Sequence, residues 1–113
     1  MNQRPQQAYD RDKLVELFGD DPRTLAEVER EFLDTAREAA REIKGTDDFT
    51  VIAHAAHRLK GASGMIGALA LRQIAEAVEH AAKAEDLSTV RRLCELFDPE
   101  VGRVAEQAGV TAE

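Results

Sequence analysis

The sequence predicts an all-helical domain, an antiparallel up-down-up-down four-helix bundle with a short extra helix at the N-terminus. Apolar residues recur at spacings of three and four, as on one face of a helix, and no segment shows the alternation typical of a strand. The breaks between the helical stretches are short, which favours antiparallel neighbours. Apolar residues make up 43% of the chain and aromatic residues only 4%, so the core must consist mainly of Leu, Ile, Val and Ala.

Residues that end and begin helices define the elements in order. In the segment 19–22 a glycine can end one helix, and an aspartate followed by Pro22 can begin the next. Residues 45–48 repeat this arrangement, a third break lies near Gly67, and an aspartate or serine in 85–88 can cap a last helix. These breaks predict one short and four long helices, over residues 10–18, 22–44, 48–66, 68–83 and 89–107.

The second and the last of these segments carry clear apolar faces. Their apolar positions are Leu25, Val28, Phe32, Ala36, Ala39 and Ile43 in the second, and Val90, Leu93, Cys94, Phe97, Val101 and Val104 in the last. Asp98-Pro99 should kink or restart the last helix, because proline lacks the N–H donor and clashes with the preceding turn.

The length of 113 residues corresponds to one domain with a single core. We predict a bundle domain over residues 10–108, a flexible N-terminal tail over 1–9 and a flexible C-terminal tail over 109–113. No pair of helices suited to dimerisation is evident, so we expect a monomer.

The charge balance indicates a protein partner. The chain has 22 acidic and 15 basic side chains and a formal net charge of -7, which repels nucleic-acid phosphates and anionic membrane surfaces.

The single cysteine, Cys94, excludes an internal disulfide and fits a reducing compartment. The polar N-terminus does not resemble a signal peptide, and no run of about 18 apolar residues occurs. We therefore predict a cytoplasmic protein without a membrane span.

The third predicted helix contains the candidate functional residue, His57. On a helical wheel the core side consists of Ile52, Ala55, Leu59, Ala62 and Ile66. The opposite side carries His57 with Ala53, Lys60, Gly61 and Gly64, and His54 lies at its edge. We therefore expect the imidazole of His57 to point away from the bundle.

The neighbours of His57 suit phosphoryl transfer. Gly61 and Gly64 each cost about 0.8–1.0 kcal/mol relative to alanine in a helix interior, and their lack of side chains lets a partner approach the imidazole. Lys60, one turn along, supplies positive charge where a phosphoryl group on His57 would place negative charge. An exposed nucleophilic imidazole, a cation and an open approach together predict a phosphoryl-transfer site.

Five residues of this segment, His57, Lys60, Gly61, Ser63 and Gly67, form the pattern His-x-x-Lys-Gly-x-Ser-x-x-x-Gly. In this pattern, and in the residues Leu71, Ile74, Val78 and Glu79 of the next helix, the chain resembles the histidine-containing phosphotransfer (HPt) domains of phosphorelays. The resemblance extends over nearly the whole chain, from Leu14 to Val104. It implies a four-helix bundle, a phosphohistidine at His57, and exchange with aspartates on the receiver domains of response regulators or hybrid histidine kinases.

The remaining site residues receive supporting roles in this hypothesis. We expect Ala53, His54, Arg58, Gly61 and Gly64 to form the partner-docking surface around His57. Ser63 and Gly67 are interpreted as structural support, and His80 as structural or solvated. The chain itself should need no cofactor or metal, because the receiver should contribute the Mg²⁺ and the carboxylate cluster.

Two alternative functions are a metal-binding bundle and a scaffold without phosphotransfer. A metal-binding bundle could combine His54 and His57 with His80, but His57 is predicted to face outward, and the positions three residues before the histidines carry Val51, His54 and Ala77 in place of the glutamates of a di-iron site. A scaffold that keeps the fold without transferring phosphate is disfavoured by the intact His57 and Lys60. No phosphate-binding glycine loop or catalytic triad is recognisable, so we predict a stoichiometric intermediate and not an autonomous kinase or other enzyme.

Overall fold

A computed structural model describes residues 7–109 of the chain, and within them it contains six α-helices and no strand. The predicted all-helical class is therefore confirmed for this part. The helices are α1 Arg11–Phe18, α2 Pro22–Lys44, α3 Phe49–Met65, α4 Leu69–Lys83, α5 Leu87–Cys94 and α6 Phe97–Ala108.

Aspartate side chains fix the starts of four helices. Asp10, Asp21, Asp48 and Asp86 each accept a hydrogen bond from a backbone N–H in the first turn that follows, which satisfies a donor that has no partner within the helix. The cap at Asp86 also explains why α5 begins two residues earlier than predicted.

The predicted single last helix is in fact two helices, and the break lies before Asp98-Pro99. Helix α5 ends at Cys94, and α6 begins at Phe97, so Pro99 occupies the first turn of α6. The backbone N–H groups of a first turn have no partner within the helix, so proline is tolerated there without loss of a hydrogen bond. The expected restart is thus present, and it precedes the proline.

The core forms where the apolar faces of the helices meet. Helix α3 packs most extensively against α4 and also against α2, while α5 packs on α4 and α6 packs on α2. Leu33, Ile52, Leu59, Val78 and Phe97 are among its fully buried side chains. Cys94 is buried in the same core, as expected from its apolar stripe.

The N-terminal boundary of the folded domain lies earlier than predicted. Ala8 and Tyr9, which lie in the predicted flexible tail, are buried. Their backbone N–H groups donate to Gln107 Oε1, and the Tyr9 hydroxyl donates to the buried carboxylate of Glu29. These polar partners from α6 and α2 hold the segment, so that part of the tail prediction is wrong. The predicted tail residues 1–6 and 110–113 lie outside the described residues.

Candidate functional site

Helix α3 presents His57 to solvent and buries its opposite face. Ile52, Ala55 and Leu59 are fully buried, whereas the His57 side chain is 68% exposed. The imidazole therefore points away from the bundle, as the helical wheel of α3 predicts.

A buried carboxylate from α4 lies behind the imidazole. Glu79 is only 5% exposed, and its Oε2 lies 3.1 Å from His57 Nδ1. Two lysines contact the same carboxylate: Lys60 Nζ lies 3.1 Å from Oε1, and Lys83 Nζ lies 3.3 Å from Oε2. The site is thus a compact group of charged side chains from α3 and α4.

The cations keep Glu79 ionised. Burial by itself would raise the pKa of this carboxyl, but the interactions with Lys60, Lys83 and His57 outweigh it and lower the pKa from 4.5 to about 2. Glu79 is therefore a carboxylate throughout the neutral pH range.

The ionised carboxylate fixes the arrangement of protons on His57. A carboxylate oxygen can only accept a hydrogen bond, so Nδ1 must carry the proton in the contact with Oε2. In the neutral imidazole the lone pair then belongs to Nε2. The exposed ring thereby presents a nucleophilic nitrogen.

The predicted docking residues surround His57 in different ways. Gly61 is exposed, and apart from its chain neighbours and the backbone of its own helix, a Cβ added there would meet nothing within 4 Å. A Cβ on Gly64 would lie 3.3 Å from Arg72 Nε, so this glycine accommodates an arginine of α4. Arg58 donates to Glu42 Oε1 of α2 at 2.9 Å. These contacts show that Gly61 leaves the more open surface.

A cleft of about 500 Å³ lies beside His57 and is lined by residues from the first half of α3 and the end of α4. Ala53, His54, His57, Glu79 and Lys83 are among the residues that line it. Two of the predicted docking residues, Ala53 and His54, thus share one cavity with the candidate phosphoacceptor.

The two predicted support residues lie near the end of α3. Gly67 has a φ of +70°, and a Cβ there would lie 2.6 Å from Asp10 Cβ, so this position requires glycine on two counts. Ser63 is fully buried, and its Oγ has no hydrogen-bond partner among residues 7–109. The structure thus explains Gly67 and gives no reason for the hydroxyl of Ser63.

Sequence reasoning did not assign Glu79 or Lys83 to the site. Glu79 entered only as part of the family resemblance, although it interrupts the buried stripe formed by Ala75 and Ala82 on α4. A charged residue on a buried face is uncommon without a partner, and that signal could have identified it. Lys83 follows Glu79 by one turn, at a spacing that is also typical of ordinary surface ion pairs.

The structure also bears on the two other histidines and on the alternative of a metal site. His54 and His80 are exposed. Within residues 7–109 no group of three or more His, Cys, Asp or Glu side chains is arranged so that it could hold a metal ion. No helix in this range is both long and apolar enough to cross a membrane.

An all-helical domain with an exposed histidine backed by a buried carboxylate is the arrangement expected of a phosphotransfer module. Comparison with family models agrees, because the model described as Hpt domain matches residues 7–107. The chain belongs to the Hpt domain family, whose members act in histidine phosphotransfer in two-component phosphorelays, as intermediates that partner with receiver domains and not as kinases. Comparisons with curated proteins and with solved structures gave no match.

Proposed function

We propose that His57 accepts a phosphoryl group from an aspartate of a receiver domain, in a hybrid histidine kinase or a response regulator, and passes it to an aspartate of another receiver. The observation that carries this proposal is the contact of His57 Nδ1 with Glu79 Oε2, together with the exposure of the ring. The contact at Nδ1 leaves Nε2 as the free nucleophile.

The transfer step follows from this arrangement. The Nε2 lone pair attacks the phosphorus of the aspartyl phosphate, a bond from Nε2 to phosphorus forms, and the bond from phosphorus to the aspartate oxygen breaks. The electron pair of the broken bond stays with the aspartate, which leaves as a carboxylate. The proton on Nδ1 stays on the ring, and Glu79 Oε2 stabilises the resulting positive charge. The reverse step returns the phosphoryl group to a receiver.

Lys60 supports the phosphorylated form through Glu79. Its ammonium lies 3.1 Å from Oε1, so it offsets the negative charge that would otherwise repel a phosphoryl group on His57. Gly61, Gly64, Ala53, His54 and Arg58 form the docking surface in this proposal. The receiver provides the Mg²⁺ and its own carboxylates, and this chain needs no cofactor.

The proposal also covers the setting of the domain. We infer a monomeric, cytoplasmic intermediate without enzymatic turnover of its own, with the main helices arranged as an antiparallel up-down-up-down four-helix bundle preceded by α1. The short connections between consecutive helices favour this topology, and the net charge of -7 disfavours nucleic acid and anionic membrane as partners.

The test is transfer of label from phosphorylated receiver domains to purified variants. His57→Gln should fold normally and accept no label, whereas the matched controls His54→Gln and His80→Gln should be labelled nearly as well as the parent. The bond should be labile in acid and stable in base, as expected for a phosphoramidate. Label that survives in His57→Gln would place the phosphoacceptor elsewhere, and a parent protein that binds receivers without accepting label would indicate a scaffold.

A further inference from the structure

Two lysines contact the Glu79 carboxylate, but their surroundings differ. Lys60 is only 24% exposed and contacts Oε1, on the side of the carboxylate away from the imidazole contact. Lys83 is 65% exposed and contacts Oε2, the same oxygen that lies 3.1 Å from His57 Nδ1. The largely exposed side chain of Lys83 therefore places its ammonium on the carboxylate oxygen that contacts the ring, and Lys83 also lines the cleft beside His57.

We propose that Lys83 is a second catalytic residue of the transfer reaction, and that its ammonium moves from Glu79 Oε2 to the phosphoryl oxygens once His57 is phosphorylated. The proposal rests on the proposed function of His57. It assigns direct contact with the phosphoryl group to Lys83, and to Lys60 the positioning and neutralisation of Glu79.

The charges of the cluster permit this movement. In the unphosphorylated site two ammonium groups face one buried carboxylate, so one of them is in excess. If Lys83 leaves, Glu79 keeps the ion pair with Lys60 at Oε1 and the hydrogen bond from Nδ1 at Oε2. The carboxylate therefore does not become a buried, unpaired charge, which is the situation that would oppose the movement.

The phosphoryl group supplies the driving force. A phosphoryl group carries roughly 1.5 to 2 negative charges at neutral pH, which is more than the single charge of the carboxylate. The exposed, flexible side chain of Lys83 can follow this charge at little cost, whereas the Lys60 side chain is only 24% exposed and is paired with Oε1.

The experiment compares Lys83→Ala with Lys60→Ala and with Arg92→Ala, an exposed arginine of α5 that removes the same charge outside the site. The readout is the equilibrium fraction of phosphorylated protein against a fixed receiver domain at low and high salt. Lys83→Ala should lower the equilibrium constant by about three- to tenfold at low salt, and the effect should shrink at high salt because the contact is exposed. Arg92→Ala should change it by less than about twofold.

A second readout separates contact from general structure. The pH titration of the ³¹P resonance of the phosphohistidine reports the charge around the phosphoryl group. Contact with an ammonium favours the dianion, so Lys83→Ala should raise the pKa of the phosphoryl group, and Lys83→Arg should restore it towards the parental value. Lys60→Ala should change the pKa of the phosphoryl group less, and this change should depend less on salt, because Lys60 acts through Glu79.

Each outcome bears on the proposal. Equal effects of Lys83→Ala and Arg92→Ala at both salt concentrations, or an unchanged ³¹P titration in Lys83→Ala, would overturn it. A larger and more salt-dependent effect of Lys60→Ala would reverse the two roles. Failure of the parent protein to accept label on His57 would instead refute the proposed function.

Discussion

His57 Nδ1 lies 3.1 Å from Oε2 of Glu79. The candidate nucleophile on α3 is therefore oriented by a buried carboxylate on α4. The contact joins the two helices that pack most extensively on each other. Glu79 thus has a double function in the structure, because it orients the imidazole and also anchors lysines from both helices.

Glu79→Gln should therefore slow transfer while preserving much of the site. The amide oxygen of glutamine can still accept from Nδ1, but it does not stabilise the positive charge that the ring acquires during transfer. We expect the rate from a phosphorylated receiver to fall by about 10- to 100-fold, the range of a lost charged hydrogen bond. The measurement is a single-turnover time course, and a rate within twofold of the parent would show that the charge of Glu79 has no part in the reaction.

The same carboxylate should make the stability of the domain depend on pH. Folding lowers the pKa of Glu79 from 4.5 to about 2, so its contribution is present above pH 4.5 and is lost as the pH falls through about 2. This shift corresponds to stabilisation on the order of 3 kcal/mol at neutral pH. Urea unfolding of parent and Glu79→Gln between pH 2 and 7 measures it. The two curves should converge towards low pH, and parallel curves would contradict the assignment.

Gly61 should matter for docking and not for folding. A glutamine there would project from an exposed position one turn from His57, and outside its chain neighbours and its own helix backbone nothing lies within 4 Å of its Cβ. Gly61→Gln should keep the fold and reduce transfer from receivers at least tenfold, while phosphorylation by a small phosphodonor continues. Gly102→Gln on α6 is the matched control, because that glycine is also helical, exposed and open. Equal transfer by both variants would remove Gly61 from the docking surface.

Gly67→Ala should destabilise the domain, in contrast to the same change at Gly102. The alanine would need a positive φ and would bring Cβ within 2.6 Å of Asp10 Cβ. We expect a loss of about 2–4 kcal/mol in the free energy of unfolding. Gly102→Ala should instead gain up to about 1 kcal/mol from helix propensity. Urea denaturation of the two variants checks both signs, and a stable Gly67→Ala would show that the turn after α3 can rearrange.

The sequence predicts local features of this domain well. Aspartates and Pro22 indicate the helix starts because a cap acts within one turn of the chain. The direction of His57 follows from the periodicity of α3 alone, because an apolar stripe opposite the histidine must face the core.

Contacts between distant segments of the chain cannot be predicted from the pattern of one helix. The meeting of His57, Lys60 and Lys83 at Glu79 depends on how α3 and α4 are aligned, and no pattern within either helix specifies that alignment. The buried hydroxyl of Tyr9 likewise finds its partner in Glu29 of α2, which is 20 positions away in the chain. The pattern of α3 alone therefore indicates His57 and Lys60 as candidates and leaves out Glu79 and Lys83, which belong to the next helix.

The attachment of Ala8 and Tyr9 to Gln107 has a consequence for anything fused ahead of residue 7. The next residue, Asp10, donates its backbone N–H to Ile66 O, so this segment passes the end of α3. His57 lies nine residues earlier in the chain than Ile66, which corresponds to about 14 Å along the helix axis. A fluorescent protein or affinity tag joined directly to residue 7 would therefore be attached beside the last turns of α3 and α6, and not at the level of His57.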